Sequence, residues 1–222
     1  IVRDQDVYSS GAMGEPLFQL TRAGITCDPA EEPIQTLSTS FAGTPFLRLP
    51  KFLDAQLASY VLARLEAAPF VRGLEHGHEI EETIDGPGLD ALFTLILNDP
   101  RLFALIEGVT QCDRIGCFTG RIYRRRESRW DGDRYYPWHD DVTDDRMIGL
   151  SINLGTEPYS GGILQMGEAA TGRPVGEVAN VGTCDAVLFR VSPALEHQVT
   201  PVTGPVPRTV MAGWFRARPS FA

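Results

Sequence analysis

Between Phe52 and Phe70 the chain reads FLDAQLASYVLARLEAAPF, with Leu57, Val61, Leu62 and Leu65 returning at three- and four-residue steps. That spacing lays apolar side chains along one stripe of a helix. Asp54 stands where an N-cap belongs, and Pro69 ends the run. LDALFTLILNDPRLFALIEGV predicts a second helical region, interrupted near Asn98-Asp99-Pro100. Neither region is polar enough to stand alone, so both are expected to cover a sheet.

From Gly116 the apolar runs shorten. CFTGRIYRR, MIGLSINLG, GGILQMG, DAVLFRV, HQVTPV and RTVMAGWFRA are apolar-rich or alternating, and Gly, Pro, Asn and Asp clusters separate them. Short strands after two helical regions predict a mainly β fold with flanking helices, a double-stranded β-helix (jelly roll) supported by two N-terminal helical regions. Residues 1–44 show little periodicity and read as an irregular N-terminal arm. Residues 45–222 read as a single jelly-roll domain, with helical support over 51–109 and the barrel over 116–217.

Composition narrows the function classes. A chain of 222 residues with 43% hydrophobic and 22% charged residues fits one soluble globular domain. Its formal charge of −9 argues against a nucleic-acid partner, because phosphate binding wants a basic surface. No run approaches the roughly 18 apolar residues of a membrane span, and no signal peptide is visible. The four cysteines, Cys27, Cys112, Cys117 and Cys184, form no CxxC pair and read as reduced thiols. These features together lead us to expect a cytoplasmic protein without a membrane partner.

The chemistry concentrates in RYYPWHDDVTDD. On a strand, His139 and Asp141 would share one face and Asp140 the other. A third ligand is available in His197, which enters the strand HQVTPV and can lie beside His139 in an antiparallel jelly roll. Two imidazoles and one carboxylate leave three adjacent positions of an octahedral ion open, the facial triad of non-haem Fe(II) oxygenases. Arg208 follows eleven residues after His197, past VTGPVP. If the chain turns at Gly204-Pro205, its strand runs back beside the histidine strand and Arg208 faces inward. A buried guanidinium is costly without an anion, and a dicarboxylate chelating iron would supply one.

The ordered set HxD, a Gly-Gly strand, a distal histidine and a basic residue resembles the prolyl-4-hydroxylase-like 2-oxoglutarate/Fe(II) dioxygenases over roughly Gly116 to Phe215. The resemblance implies that His139, Asp141 and His197 bind Fe(II) and that Arg208 holds the far carboxylate of 2-oxoglutarate, with O2 as the other cosubstrate. It also implies cosubstrate roles for Tyr123 in GRIYRR and Leu164 in GGIL. Ser151 and Asn153 alternate onto the expected inner face of LSINL. Asn153 stands where many relatives carry an aromatic residue, and Arg208 where many carry lysine. The implied activity is a hydroxylase releasing succinate and CO2, with desaturation or ring formation as other outcomes of the same chemistry. Halogenases of the wider superfamily lack the carboxylate that Asp141 supplies here.

The implied substrate is a peptide residue, a free amino acid or a natural-product intermediate. YRRRESRWDGDRYY lies just before the metal segment, and its arginines favour an anionic group on that substrate. Arg125, Arg129, Trp130 and Tyr135 are its substrate candidates, although such a run also suits a solvated face. Trp138 is expected to face away from the ligands and pack. Two other classes compete. A jelly-roll binding domain would sense a ligand without turning it over. A cupin-type metalloenzyme would use His76 and His78 of HGHEIEE, with Glu82, in a stretch that otherwise reads as a charged loop between helices.

Overall fold

The structure is a computed structural model that describes residues 18–27, 31–75, 79–86, 88–127, 138–143, 145–180 and 182–219. The chain opens with β1 (Phe18–Thr21), β2 (Gly24–Cys27), α1 (Glu31–Gly43) and β3 (Phe46–Leu49). Next come α2 (Ala55–Ala67), the hairpin β4 (Phe70–Glu75) and β5 (Glu79–Ile84), then α3 (Gly88–Leu97) and α4 (Pro100–Thr110). The β region holds β6 (Cys117–Arg125), β7 (Arg146–Asn153), β8 (Ser160–Gly161), β9 (Leu164–Glu168) and β10 (Pro174–Val178). It ends with β11 (Ala186–Arg190), β12 (Leu195–Val199), β13 (Val202–Thr203) and β14 (Arg208–Arg216).

Local chemistry accounts for the helix boundaries. Asp54 caps α2 by accepting a hydrogen bond from the Leu57 amide at 2.7 Å, and Leu57, Val61 and Leu65 form its buried stripe. Asp99 caps α4 in the same way, with Pro100 in the first turn. The irregular arm expected over residues 1–44 is corrected in its described part. There β1 and β2 form a hairpin, and α1 packs on α4 with Leu37 and Phe41 in the main core. The stretch around HGHEIEE is also not simply a loop, because β4 and β5 flank it as a hairpin. His76 and His78 themselves lie outside the described residues.

The strands form a larger sheet, β3-β11-β7-β14-β6-β5-β4, and a smaller one, β10-β9-β12, beside the short pair β13-β8. Alternation divides the work of the larger sheet. Phe118, Ile122, Ile148, Leu150, Ile152, Leu188, Met211 and Phe215 join the helices in the main core. The intervening residues, including Tyr123, Ser151, Val187, Phe189, Ala212 and Trp214, line a cavity on the opposite face. A second, much smaller core of Leu164, Met166, Val178, Val187, Phe189 and Val191 joins the two sheets. This is the expected jelly roll with helical support. Among the described residues, no helix is long and apolar enough to cross a membrane, and Cys112 and Cys184 are free thiols.

Candidate metal centre

His139 and His197 meet as an isolated antiparallel bridge, each backbone amide donating to the other's carbonyl, at 3.1 and 2.8 Å. Their rings stand 4.4 Å apart, and the His197 ring also packs on Phe189 at 4.8 Å. Asp141 joins them, but not by strand alternation. Its φ of +56° is left-handed, its carbonyl accepts from the Thr143 amide, and exposed Asp140 bonds the Val142 amide. A tight turn therefore folds the carboxylate back over the histidines. Aspartate tolerates this conformation better than most residues.

The three side chains bring ligand atoms within 4.8 Å of one another. Asp141 Oδ1 lies 3.8 Å from His139 Nε2, and Oδ2 lies 3.4 Å from His197 Nε2. Adjacent ligands of an octahedral ion bound at about 2.1 Å stand about 3 Å apart, so small side-chain shifts bring this set onto one ion. The remaining contacts of Asp141 fix its carboxylate. Trp214 Nε1 donates to Oδ2 at 2.8 Å, and Arg146 donates to Oδ1 at 3.2 Å while stacking on the Trp214 ring at 3.8 Å. Burial works against the Asp141 charge, but the facing His197, the Trp214 N–H and His139 outweigh it and hold the carboxyl below its ordinary range.

Arg208 opens β14 only 4% exposed, and donates to Tyr123 Oη and Ser151 Oγ, both at 3.2 Å. Its Nε has no hydrogen-bond partner, and among the described residues no carboxylate stands within ion-pair distance. A buried cation held only by two hydroxyls lacks its counter-charge, which is the opening a carboxylate ligand would fill. Leu164 lines the same cavity. The first two glycines of GGIL explain themselves here. A Cβ on Gly162 would meet Arg208 Cδ and a Tyr159 ring carbon at 2.7 Å, and its φ of +62° already disfavours a side chain. One on Gly161 would run into the Pro201 carbonyl oxygen.

Two sequence expectations change. β14 is hydrogen-bonded to β6 and β7 in the larger sheet, whereas β12 pairs with β9 in the smaller one. Arg208 thus reaches the cavity from the sheet facing His197, not from a neighbouring strand. Asn153 is not a cavity residue: its amide donates to the Gly182 carbonyl, and its oxygen accepts from the Gly155 amide, closing the loop after β7. Asn180, which sequence reading missed, lines the cavity instead and leaves its buried Oδ1 without a partner.

Of the four substrate candidates, Arg129, Trp130 and Tyr135 lie outside the described residues. Arg125 lines the cavity, with its guanidinium held by Glu81 at 2.6 Å. Arg124 stacks on Phe70, and Arg126 pairs with Glu82, which answers to a solvated face. Trp138 is 41% exposed and lies over Gly167, so it is not the packed residue expected. Trp214 and Arg146 were also missed. Trp214 could have been found from its even spacing after Arg208, which puts both on one strand face.

The cavity lined by His139, Asp141, His197 and Arg208 measures about 490 Å³, within the usual range for small-molecule sites. Residues 126–216, which include the His139-Asp141-His197 cluster and Arg208, match the sequence model of the 2OG-Fe(II) oxygenase superfamily. No curated protein sequence matches the chain. Several solved structures share its fold. A 2OG-Fe(II) oxygenase-family oxidoreductase from Burkholderia pseudomallei is 16% identical with a TM-score of 0.63, covering 90% of this chain and 96% of its own. A prolyl-4-hydroxylase from Pseudomonas putida is 21% identical with a TM-score of 0.57, covering 84% of this chain and 100% of its own. The non-haem α-ketoglutarate-dependent epimerase SnoN from nogalamycin biosynthesis is 16% identical with a TM-score of 0.62, covering 86% and 87%. Residues 126–216 therefore resemble the 2OG-Fe(II) oxygenase superfamily, whose chemistry uses Fe(II), 2-oxoglutarate and O2, and the chain shares the fold of the solved 2OG-Fe(II) oxygenases.

Proposed function

We propose that this oxygenase hydroxylates an unactivated C–H bond of a peptide residue, an amino acid or a natural-product intermediate, releasing succinate and CO2. The observation that carries the reading is Arg208, buried and without a carboxylate partner among the described residues, in the same cavity as the His139-Asp141-His197 cluster. A metal-binding receptor needs the three ligands. It has no evident use for a buried, uncompensated guanidinium beside them.

When bound, iron with 2-oxoglutarate and O2 supplies the oxidising power for C–H cleavage. The chain supplies the rest. His139, Asp141 and His197 would hold the metal from one side, leaving the other side to the cosubstrates. Trp214 and Arg146 orient Asp141 and limit its freedom to swing away. Arg208, with Tyr123 and Ser151, would bind the far carboxylate of 2-oxoglutarate, and Leu164 with Val187 gives that pocket apolar walls. Phe189 packs against His197 and helps keep water from its ring. Hydroxylation is the reading that the prolyl-4-hydroxylase likeness favours, whereas the SnoN likeness ties the same fold to epimerisation.

The test is formation of succinate from 2-oxoglutarate by the Fe(II)-loaded protein in air, with and without a chelator. Chelation and Asp141→Ala are each expected to abolish succinate, and the variant should also lose iron on dialysis. Turnover that survives Asp141→Ala with normal iron content would overturn the ligand assignment. No succinate from the iron-loaded native chain with any candidate substrate would favour a binding domain.

A further inference from the structure

We infer that Asn180 is a further cosubstrate-positioning residue, whose side-chain oxygen and Arg208 Nε together hold one water against the far carboxylate of 2-oxoglutarate; this rests on the oxygenase reading above. Asn180 stands two residues past the end of β10, is 6% exposed and lines the cavity. Its amide nitrogen donates to the Ser151 carbonyl on β7 at 3.0 Å, and to the Asp185 carbonyl just before β11 at 3.3 Å. Both amide hydrogens are thereby used, and a flipped amide would set its oxygen against two carbonyls. Oδ1 is therefore a fixed acceptor, buried and without a partner among the described residues.

The residues that hold Asn180 also surround Arg208. Ser151 accepts from Arg208 Nη2 on its hydroxyl and from Asn180 on its carbonyl. Buried Tyr159 donates its hydroxyl to the Asn180 carbonyl at 2.7 Å. The Tyr159 ring and Arg208 both crowd Gly162. A Cβ there would lie 2.7 Å from a ring carbon and from Arg208 Cδ, and 3.4 Å from Arg208 Nε. Ser151 and Tyr159 thus link the two residues, and the orphaned Nε–H and Oδ1 belong to one end of the cavity.

Chemistry decides what can join them. Nε–H needs an acceptor and Oδ1 needs a donor, and both atoms are closed off from bulk solvent. A carboxylate satisfies Nε but never Oδ1, because a carboxylate and an amide oxygen both only accept. Water satisfies both. It accepts from Nε, donates one hydrogen to Oδ1 and turns the other to the far carboxylate of the cosubstrate. Three bonds of this kind are what a buried water typically makes. The neutral amide matters here, since an aspartate at position 180 would bring a rival carboxylate to the guanidinium. Asn180 thus adds an acceptor to the pocket and leaves the counter-charge of Arg208 to the cosubstrate.

The experiment is a crystal structure of the full chain with Zn(II) and 2-oxoglutarate, paired with calorimetric titration of the Zn(II)-loaded chain. One water is expected within hydrogen-bond distance of Arg208 Nε, Asn180 Oδ1 and the far carboxylate. In the titration, Asn180→Leu removes the acceptor and should weaken 2-oxoglutarate by about three- to tenfold, the scale of one hydrogen bond. It should leave unchanged the binding of 2-oxopentanoate, the same carbon chain without the far carboxylate. Equal weakening of both acids would overturn the inference and make Asn180 a structural residue only. So would a crystal structure in which Oδ1 bonds Arg208 Nε directly, or in which the carboxylate takes Nε and no water meets Oδ1. The native crystal structure decides the matter even if Asn180→Leu fails to fold. Failure of the native chain to bind 2-oxoglutarate at all would overturn the oxygenase reading, and this inference with it.

Discussion

At the scale of single residues, the site depends on a few side chains whose partners are unusually specific. Arg208 is the clearest. Charge-assisted hydrogen bonds contribute about 1.5–3 kcal/mol, so Arg208→Ala is expected to raise the 2-oxoglutarate requirement by roughly tenfold to a hundredfold, with iron still retained. Titration of succinate formation against 2-oxoglutarate checks this, and an unchanged requirement would remove Arg208 from the cosubstrate pocket. Trp214 acts one step further out, through the carboxylate it holds. Trp214→Phe keeps a ring for Arg146 to stack on but removes the N–H, and outer partners of this kind are worth about 10–100-fold in metal affinity or activity. Iron retained after dialysis should fall on that order. Full retention would make the indole a packing residue only.

Among the elements, the helices show how far local pattern carries. α2 was legible because an apolar stripe and an aspartate cap coincide, and the break at Asn98-Asp99-Pro100 proves to be the start of α4, capped by Asp99. The same Asp99 also ties α4 to the N-terminal hairpin, accepting from the Ile25 amide at 3.1 Å. Asp99→Ala should cost about 1–2 kcal/mol in a denaturant titration. The Arg101 side chain and the amides around Asp99 hold its carboxyl below the ordinary range. Its contribution is therefore complete above about pH 4 and is lost as pH falls through the lower folded value. A variant as stable as the native chain at pH 7 would contradict this. The β1-β2 hairpin, α1 and β10 were not legible. The hairpin strands have four residues each, too few to establish a period, and β10 reads PVGEV, with proline at its start and glycine at its centre. Asp141 was found for the wrong local reason: the HxD spacing was correct, but a left-handed turn produces the convergence. Asn153 was misassigned because it is the last residue of β7, where its side chain turns to hold the loop that follows rather than the cavity.

The whole molecule joins two unequal cores. The main core locks the helices to one face of the larger sheet, and the small inter-sheet core leaves a cavity of about 490 Å³ on the other. The convergence of His139, Asp141, His197 and Arg208 on one cavity was legible at this scale because the candidate chemistry is spelled out by residue type and order. The Glu81–Arg125 pair on the cavity wall was not, since it depends on β5 lying beside β6, a pairing that no local pattern announces. The two facing sheets also explain how His197 and Arg208, eleven residues apart, approach one cavity from opposite sides. The most direct measurement is anaerobic difference absorbance on the metal-free protein, adding Fe(II) and then 2-oxoglutarate. A weak visible charge-transfer band is expected only after the second addition, absent in His139→Ala and shifted to higher 2-oxoglutarate concentration in Arg208→Ala. No band in the native protein, or a band that survives His139→Ala unchanged, would contradict an iron and 2-oxoglutarate site at these residues.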